Sequence, residues 1–375
     1  MRPKCLSAWS LHLLLAALLF GGGCTRAQAP APAGLNLQLP PGFRVSLFAQ
    51  DLGQARFMAF DPRGRLMVCD MEGGRVLTLP DANRDGRADR LVVFAAGLPL
   101  PHSVAWRQGR AYLAGDGQVI ELTDADGDGS AEARRVLIDG LPSQGGHITR
   151  TIAFGPDDKL YLSIGSSSNL TPETDRRRAA VLRFNADGSG QEIFATGLRN
   201  SVGLAFHPDT GELWGTDNGR DWLGDDLPPD ELNILRQGGF YGWPYYYGRN
   251  LPDPAFSRRP PPGIPPALEF QAHSAPLGLC FYTGGQFPAE YRGDAFVCFH
   301  GSWNRAVPTG YKLVRVRMRQ GRPVSYQDFL TGFLAGRQVS GRPVDVRMGP
   351  DGALYFSDDL RGRIFRVSWQ GAPAR

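Results

Sequence analysis

A short apolar strand, a turn of Pro, Asp or Gly, and a second strand recur along the whole chain. Regular copies begin at residues 57, 152, 202 and 344, and two less regular copies begin near His102 and Ala275. This spacing is close to the length of one four-stranded blade. We therefore predict an all-β, six-bladed β-propeller, whose first strands converge on a central axis. A two-sheet sandwich is the main rival, but the even recurrence argues against it.

The composition suits such a fold. Glycine (48 residues) and proline (30 residues) are abundant in the 375-residue chain, as expected for many short strands joined by turns. The chain is 42% hydrophobic, which is enough for a large core, and we assign residues 38–372 to one propeller domain. A net charge of +4 without a basic run gives little support to nucleic-acid binding. The Pro-rich stretch 251–266 is predicted to be an excursion between blades.

The N-terminus has the pattern of an export signal. Arg2 and Lys4 precede an apolar stretch that is too short for a membrane span. Three glycines then lead into Cys24, which resembles the acylated cysteine of a lipoprotein cleavage box; a plain secretory signal is the alternative. We predict a signal peptide at residues 1–24, an Ala/Pro-rich tether at residues 25–37, and an exported, lipid-anchored protein in the periplasm or at the cell surface.

Three cysteines remain in the predicted mature domain. Cys280 and Cys298 lie in neighbouring predicted strands and could pair in an oxidising compartment. Burial as small apolar residues explains them, and Cys69, about equally well. The sequence leaves both alternatives open.

Residues 124–132 alternate oxygen-bearing side chains with glycine, which is the pattern of a calcium-binding loop. The expected ligands are Asp124, Asp126, Asp128 and Glu132. The flanks are predicted strands, so the loop would clip a blade hairpin. A weaker copy carries Asp81, Asn83 and Asp85. An acidic turn without metal is the alternative, and in both cases the predicted role is structural.

The strongest candidate for chemistry is His147, which precedes an alternating apolar strand and a Gly-Pro-Asp turn. A histidine at a strand mouth can accept a proton near neutral pH, although a lone histidine is more often structural. Arg199 and Asn200 precede another first strand, where an arginine fork and an amide can hold an anion and a polar ring. Gly219 follows a strand, and a glycine there lets backbone carbonyls approach a ligand or cation closely.

Nine short motifs extend over most of the predicted mature chain. They are Gly-His-x-Thr-Arg-Thr at 146–151, Phe-Gly-Pro-Asp at 154–157, Gly-Leu-Arg-Asn at 197–200, Asp-Glu-x-Asn at 230–233, Gly-Gly-Phe-Tyr-Gly-Trp-Pro at 238–244, Ala-Pro-Leu-Gly at 275–278, Phe-Tyr-Thr-Gly at 281–284, Gln-Phe-Pro at 286–288 and His-Gly-Ser-Trp-Asn-Arg at 300–305. Together they resemble the glucose/sorbosone dehydrogenase family of quinoprotein sugar dehydrogenases. The last motif is similar to the sorbosone-type branch.

The resemblance implies a propeller that holds pyrroloquinoline quinone (PQQ) and one Ca²⁺ on its axial face. His147 would then be the general base that takes the substrate's hydroxyl proton. Arg199 and Asn200 would contact the cofactor or the substrate oxygen. The carbonyls of Gly219 and Arg220 would ligate the calcium, which would stabilise charge developing on the quinone.

The resemblance implies three further cofactor-site residues, although this chain departs from the family pattern at several positions. Arg305 and Arg342 fall near family positions that bind the quinone carboxylates, and His102, at another blade mouth, would supplement the site. The soluble glucose-oxidising branch commonly has an aspartate at the position of Gly146, a lysine near Arg305 and a second arginine at Val344. These differences argue against glucose as the substrate and against strong quinone binding.

The leading functional hypothesis is a PQQ-dependent dehydrogenase that oxidises a sugar or a related hydroxyl or aldehyde compound. Electrons would pass to an external acceptor, a membrane quinone or a cytochrome, because the chain has no Cys-x-x-Cys-His sequence for a fused haem c. One alternative is a calcium-dependent propeller lactonase, which would need carboxylate ligands converging on the axis. Another is a non-catalytic surface-binding propeller.

Overall fold

The computed structural model describes residues 35–371. The predictions for the signal peptide, for Cys24 and for most of the tether fall outside this range. Within it, strands dominate, and the helical structure is a single 3₁₀ turn at Ala289–Tyr291. No helix in this range is long and apolar enough to cross a membrane.

Six antiparallel sheets form the blades of a β-propeller. β1 (Phe43–Ala49) belongs to the last blade. Blade 1 contains β2 (Ala55–Phe60), β3 (Leu66–Asp70), β4 (Arg75–Leu79) and β5 (Val92–Ala96). Blade 2 contains β6 (Ser103–Arg107), β7 (Arg110–Gly115), β8 (Gln118–Thr123) and β9 (Ala133–Ile138). Blade 3 contains β10 (Arg150–Phe154), β11 (Leu160–Ile164), β12 (Ala180–Phe184) and β13 (Glu192–Thr196).

Blade 4 is interrupted before its outer strand. Its first three strands are β14 (Leu204–Phe206), β15 (Leu213–Asp217) and β16 (Asp230–Leu235). An excursion then contributes β17 (Gly239–Phe240), which pairs with β13, and the hairpin of β18 (Tyr246–Tyr247) and β19 (Leu251–Pro252). β20 (Leu268–Phe270) returns to pair with β16. The Pro-rich stretch 251–266 therefore lies inside blade 4, and its predicted position between blades is wrong.

The last two blades follow the regular order. Blade 5 contains β21 (Pro276–Phe281), β22 (Ala295–Phe299), β23 (Lys312–Arg319) and β24 (Arg322–Leu330). A small hairpin, β25 (Leu334–Ala335) with β26 (Gln338–Val339), leads into blade 6. Blade 6 contains β27 (Pro343–Met348), β28 (Leu354–Asp358) and β29 (Arg363–Trp369), and it is completed by β1.

The six-bladed propeller predicted from the repeats is confirmed. The first strands β2, β6, β10, β14, β21 and β27 correspond to the six predicted copies. The predicted closure is also present, because the N-terminal strand β1 pairs antiparallel with the C-terminal β29, with Val45 opposite Val367 and Leu47 opposite Phe365. This pairing joins the two ends of the described chain in one four-stranded sheet.

Apolar residues fill the spaces between blades rather than one central core. Each of six buried clusters combines side chains of two adjacent blades, such as Phe94 of blade 1 with Leu113 of blade 2, or Trp214 of blade 4 with Val297 of blade 5. A seventh small cluster, Phe57, Val202, Leu277 and Val344, joins residues at or before the first strands of four blades. Strands packed on both faces explain the nearly unbroken apolar runs of the second strands.

The state of the three cysteines is settled by packing. Cys69, Cys280 and Cys298 are buried and free, so the disulfide alternative for Cys280 and Cys298 is wrong and the apolar alternative holds. Leu35 and Leu37 pack against the cluster shared by blades 5 and 6. The described chain therefore already contacts the propeller body before residue 38.

Candidate active site

The segments that lead into the first strands, together with the loops that follow the second strands of blades 4 and 5, surround a cavity of about 350 Å³. Five of the predicted site residues line it: His147, Arg199, Asn200, Gly219 and Arg342. They come from segments that are far apart in sequence and belong to blades 3, 4 and 6. The structure thus brings together the core of the predicted site, with Val202 and Leu277 of the axial apolar cluster also in its wall.

Three other predicted site residues have their side chains engaged elsewhere. Arg220 forms a 2.6 Å ion pair with buried Asp253, and Arg305 pairs with Asp226 at 2.8 Å. His102 is fully buried and does not line the cavity. Its Nε2 accepts a hydrogen bond from Arg56 at 3.2 Å, and Arg56 is the residue that faces the cavity.

The hydrogen bonds of His147 define which ring nitrogen is available. Its Nδ1 lies 2.9 Å from the carbonyl oxygen of Ser166 and 3.0 Å from the Ser166 hydroxyl. Because a carbonyl can only accept, Nδ1 must carry the proton, and Nε2 keeps its lone pair. Burial, followed by the charge of Arg199, lowers the pKa of His147 to about 4. The ring is therefore neutral at pH 7, with Nε2 ready to accept a proton.

Arg199 is held rigidly at the wall of the cavity. Its guanidinium pairs with Asp221 at 2.9 Å and donates to the side-chain and backbone oxygens of Asn169. The backbone amides of Arg199 and Asn200 donate to the two carboxylate oxygens of Asp217, at 3.0 and 2.7 Å. These contacts fix the loop that places Arg199 and Asn200 in the cavity wall.

Buried carboxylates support this loop from behind. Asp230 accepts the backbone amides of Gly219 and Ala275, at 2.8 and 2.9 Å, and so joins two cavity-lining segments. Burial raises the pKa of Asp217 to about 7, that of Asp230 to about 6 and that of Glu231 to about 8. This region therefore strongly favours cations or protons over further negative charge.

A second imidazole lines the cavity, and sequence reasoning gave it no role. His300 donates from Nε2 to the Asp359 carboxylate, 2.9 Å away, and Asp359 also accepts a 2.6 Å bond from Arg56. Burial, partly opposed by Asp359, lowers the pKa of His300 to about 4. His300 and Arg56 together hold the pKa of Asp359 below its usual range despite burial. In the sequence, His300 is only the first residue of the motif at 300–305. Its contact with Asp359 becomes apparent only in the folded structure.

The predicted calcium loops lie away from this cavity. Ligand atoms of Asp124, Asp126, Asp128 and Glu132 lie within 4.8 Å of one another between β8 and β9, in the hairpin position predicted. Arg65 already pairs with Asp124 at 3.0 Å. In the weaker copy, Asp81 accepts the backbone amides of Asp85 and Gly86, and Asn83 donates to Asp85, as in a self-capped turn. Calcium at either loop stays a prediction.

A second large cavity, of about 480 Å³, is lined by residues of the first strands and of the turns that follow them. Its wall is mainly apolar, and its ionisable side chains are Arg347 and Cys280. Burial raises the pKa of Cys280 to about 12, so its thiol is neutral. The smaller cavity is the better candidate, because it alone of the two combines imidazoles, arginines and an amide.

The residues of the smaller cavity fit the implied cofactors. PQQ carries carboxylates, and Arg56, Arg199 and Arg342 provide a cationic wall for them. The buried Nε of Arg56 has no hydrogen-bond partner, so a donor is left for a ligand. Among the described residues, no backbone amide donates to the carbonyl of Gly219 or Arg220, and free carbonyl oxygens next to buried carboxylates suit Ca²⁺.

The fold and the cavity define a class: a six-bladed propeller with an axial, cationic site and a neutral imidazole. The chain belongs to the family described as a domain of unknown function (DUF7133), whose model matches residues 29–373. An uncharacterized protein of Borreliella burgdorferi is 40% identical over 223 residues, which are 57% of this chain and 58% of that protein. The chain thus spans little more than half the length of that relative.

Two other proteins are similar to this chain over nearly their whole length. A pyrroloquinoline quinone-dependent sugar dehydrogenase of Hypocrea jecorina is 26% identical over 428 residues, covering 94% of this chain and 95% of that protein. The holo form of the pyranose dehydrogenase PQQ domain from Coprinopsis cinerea has a similar fold, with a TM-score of 0.77 at 22% identity, over 92% of this chain and 99% of that chain. The resemblance to quinoprotein sugar dehydrogenases is confirmed.

Proposed function

We propose that this protein is a PQQ-dependent dehydrogenase that oxidises a sugar or a related hydroxyl or aldehyde compound. The observation that carries the proposal is His147, a neutral imidazole whose Nε2 lone pair is free at the wall of a cavity lined by three arginines. The named dehydrogenases among its relatives support the same reaction class.

His147 would take the hydroxyl proton of the substrate on Nε2 while Nδ1–H stays bonded to Ser166, which fixes the ring. Arg199 and Asn200 would hold the substrate or cofactor oxygen, since their loop is immobilised by Asp217. Arg342 would pair with a cofactor carboxylate, and Gly219 with Arg220 would offer carbonyl oxygens to Ca²⁺. PQQ, when bound, supplies the two-electron acceptor that receives the substrate hydride.

The proposal also covers the electron acceptor and the cellular location of the protein. The electrons would pass to an external acceptor, a quinone or a cytochrome. Export and a lipid anchor at Cys24 remain proposals from the sequence of the first residues. A Cys24→Ser variant would then lose membrane attachment, which fractionation of cells would show.

The test begins with the purified apoprotein. PQQ and Ca²⁺ are added, and aldoses, polyols and aldehydes are screened with an artificial electron acceptor. Dye reduction that needs PQQ and disappears in His147→Ala supports the proposal. Lactone hydrolysis without PQQ would instead support a hydrolase, and a folded protein with neither activity would support a binding propeller.

The contribution of Arg342 to cofactor binding can be measured directly. Its guanidinium donates to the backbone oxygens of His300 and Gly301, at 3.3 and 3.1 Å, which leaves further donors for a carboxylate. We expect Arg342→Ala to weaken PQQ binding by about 10- to 100-fold, because a hydrogen bond to a charged group is worth about 1.5–3 kcal/mol. Equilibrium dialysis of PQQ measures this. The matched control is Arg319→Ala, at an exposed strand end, which should bind PQQ normally.

Calcium binding at the loop between β8 and β9 predicts a thermodynamic signature. Ca²⁺ at 100 times its Kd should stabilise the fold by about 2.7 kcal/mol, which denaturant titrations measure. Asp126→Asn should reduce this gain, since Asp126 is exposed and holds no ion pair to an arginine. Asp187→Asn, in an exposed turn with a single carboxylate, serves as the control. An equal gain in both variants would contradict calcium at this loop.

A further inference from the structure

Two tryptophans stand exposed at the mouth of the candidate active site. The side chains of Trp222 and Trp303 are 69% and 67% exposed, and their rings meet edge to face with centroids 5.2 Å apart. Trp303 also lines the cavity. The other four tryptophans of the described residues are buried or half-buried: Trp106, Trp214, Trp243 and Trp369. The pair is therefore an exception within this chain.

The indoles are carried by two loops that are fastened to each other. Trp222 follows β15 in blade 4, and Trp303 follows β22 in blade 5. Asn304 donates to Asp221 at 2.8 Å, and Asp221 is the carboxylate that holds Arg199. The two loops that carry the tryptophans are thus linked through the side chain of Asp221 to Arg199 in the cavity wall.

Holding the pair in solvent is unfavourable for the fold itself. Large apolar surfaces are normally buried, and Trp222 also has a φ of 67°, a left-handed conformation that is a clear outlier for a bulky residue. Arg305 secures the same loops through a 2.5 Å bond to the Asp225 carbonyl and its ion pair with Asp226. Strain of this kind persists where the surrounding structure holds it, and it concentrates at ligand sites.

We propose that Trp222 and Trp303 form a stacking platform for the apolar face of a pyranose ring, which makes chain-like saccharides better ligands than single sugars or linear polyols. The inference deepens the proposed function and rests on it for the reaction. A cavity of about 350 Å³ is near the lower end of ligand pockets, and it must hold the cofactor as well as the reacting ring. Further rings of a saccharide would then lie outside, where the tryptophans stand.

Binding to the apoprotein tests the platform without any turnover. Maltotriose and cellotriose, with sorbitol and glucose for comparison, are titrated while tryptophan fluorescence is followed. We expect saturable changes with the trisaccharides and about ten-fold weaker binding in Trp303→Ala and in Trp222→Ala, as for aromatic residues at the centre of a binding site. Leu251→Ala, which removes an exposed apolar side chain from the β18–β19 hairpin, should leave binding unchanged.

Turnover separates this inference from the proposed function. With PQQ and Ca²⁺, the tryptophan variants should raise KM for trisaccharides about ten-fold and leave kcat within about two-fold. Trisaccharide binding without turnover would support the platform and contradict the dehydrogenase. Unchanged saccharide affinity in both variants would overturn the platform. So would an effect confined to KM for a protein electron acceptor, because the patch would then dock that partner.

Discussion

His147→Asn should lower kcat by about 10²- to 10⁴-fold, which is the usual contribution of a general base. The amide nitrogen of asparagine can still donate to the Ser166 carbonyl, so the loop keeps its conformation. What is lost is the lone pair at the position of Nε2. Steady-state kinetics with saturating PQQ and Ca²⁺ measure the change, and PQQ affinity should stay within a few-fold of the wild-type value.

The pH dependence provides an independent readout. The pKa of His147 is lowered to about 4 by burial and by Arg199, and the neutral ring is the form that accepts a proton. Activity is therefore present above this pKa and is lost as the pH falls through it. We expect the acid limb of kcat/KM to lie well below the ordinary histidine pKa of 6.5, and to be absent from the residual activity of the asparagine variant.

A second histidine supplies the control. His207 lies in the turn after β14, where its Nδ1 accepts the backbone amides of Asp209 and Thr210, and it does not line the cavity. His207→Asn should leave kcat and the acid limb unchanged. Equal losses in the two variants would show that the effect on activity comes from stability, and unchanged kcat in His147→Asn would exclude His147 as the base.

The blade pattern was predictable because each blade repeats the same local chemistry. A turn of Pro, Asp or Gly after an apolar first strand is a local signal, and the closing strand at Phe365 has the same alternation. The excursion in blade 4 was misplaced for a different reason. Only the pairing of β16 with β20, as of Leu232 with Leu268, shows that the chain returns to the same blade, and this pairing has no local signal.

Site residues that lie in a sequence motif were predicted. Contacts that form only when distant segments come together in the fold were missed. His147, Arg199 and Asn200 belong to segments with clear patterns, and they share the cavity. Arg56 and Asp359 are 303 positions apart, so their contact follows from ring closure alone. Likewise, no sequence pattern indicated that the side chain of Arg305 would be occupied by Asp226.

Arg56→Met should lower the free energy of unfolding by about 3–5 kcal/mol, since it leaves a buried carboxylate without its permanent cation. Arg56 belongs to blade 1 and Asp359 follows the second strand of blade 6, so their 2.6 Å ion pair crosses the seam where the ring closes. Both side chains are more than nine-tenths buried, so solvent screens the remaining charge only weakly. Urea titration of the variant measures the loss.

The double variant Arg56→Met with Asp359→Asn should recover part of this loss, because the uncompensated charge is then gone. Arg322→Met removes an arginine from another ion pair between blades, the exposed one with Glu212, and should cost at most about 1 kcal/mol. A loss in Arg56→Met no greater than in Arg322→Met would contradict a stabilising role of the buried pair.

The loss in Arg56→Met should also depend on pH, with a sign that the neighbouring histidine determines. Arg56 is one of the charges that lower the pKa of His300, so its removal raises this pKa. As the pH falls, His300 would then take up a proton while it is still folded and become the cation beside Asp359. The stability deficit of the variant should therefore be larger at pH 8 than at pH 5. An equal deficit at both pH values would mean that His300 does not replace Arg56 as the partner of Asp359.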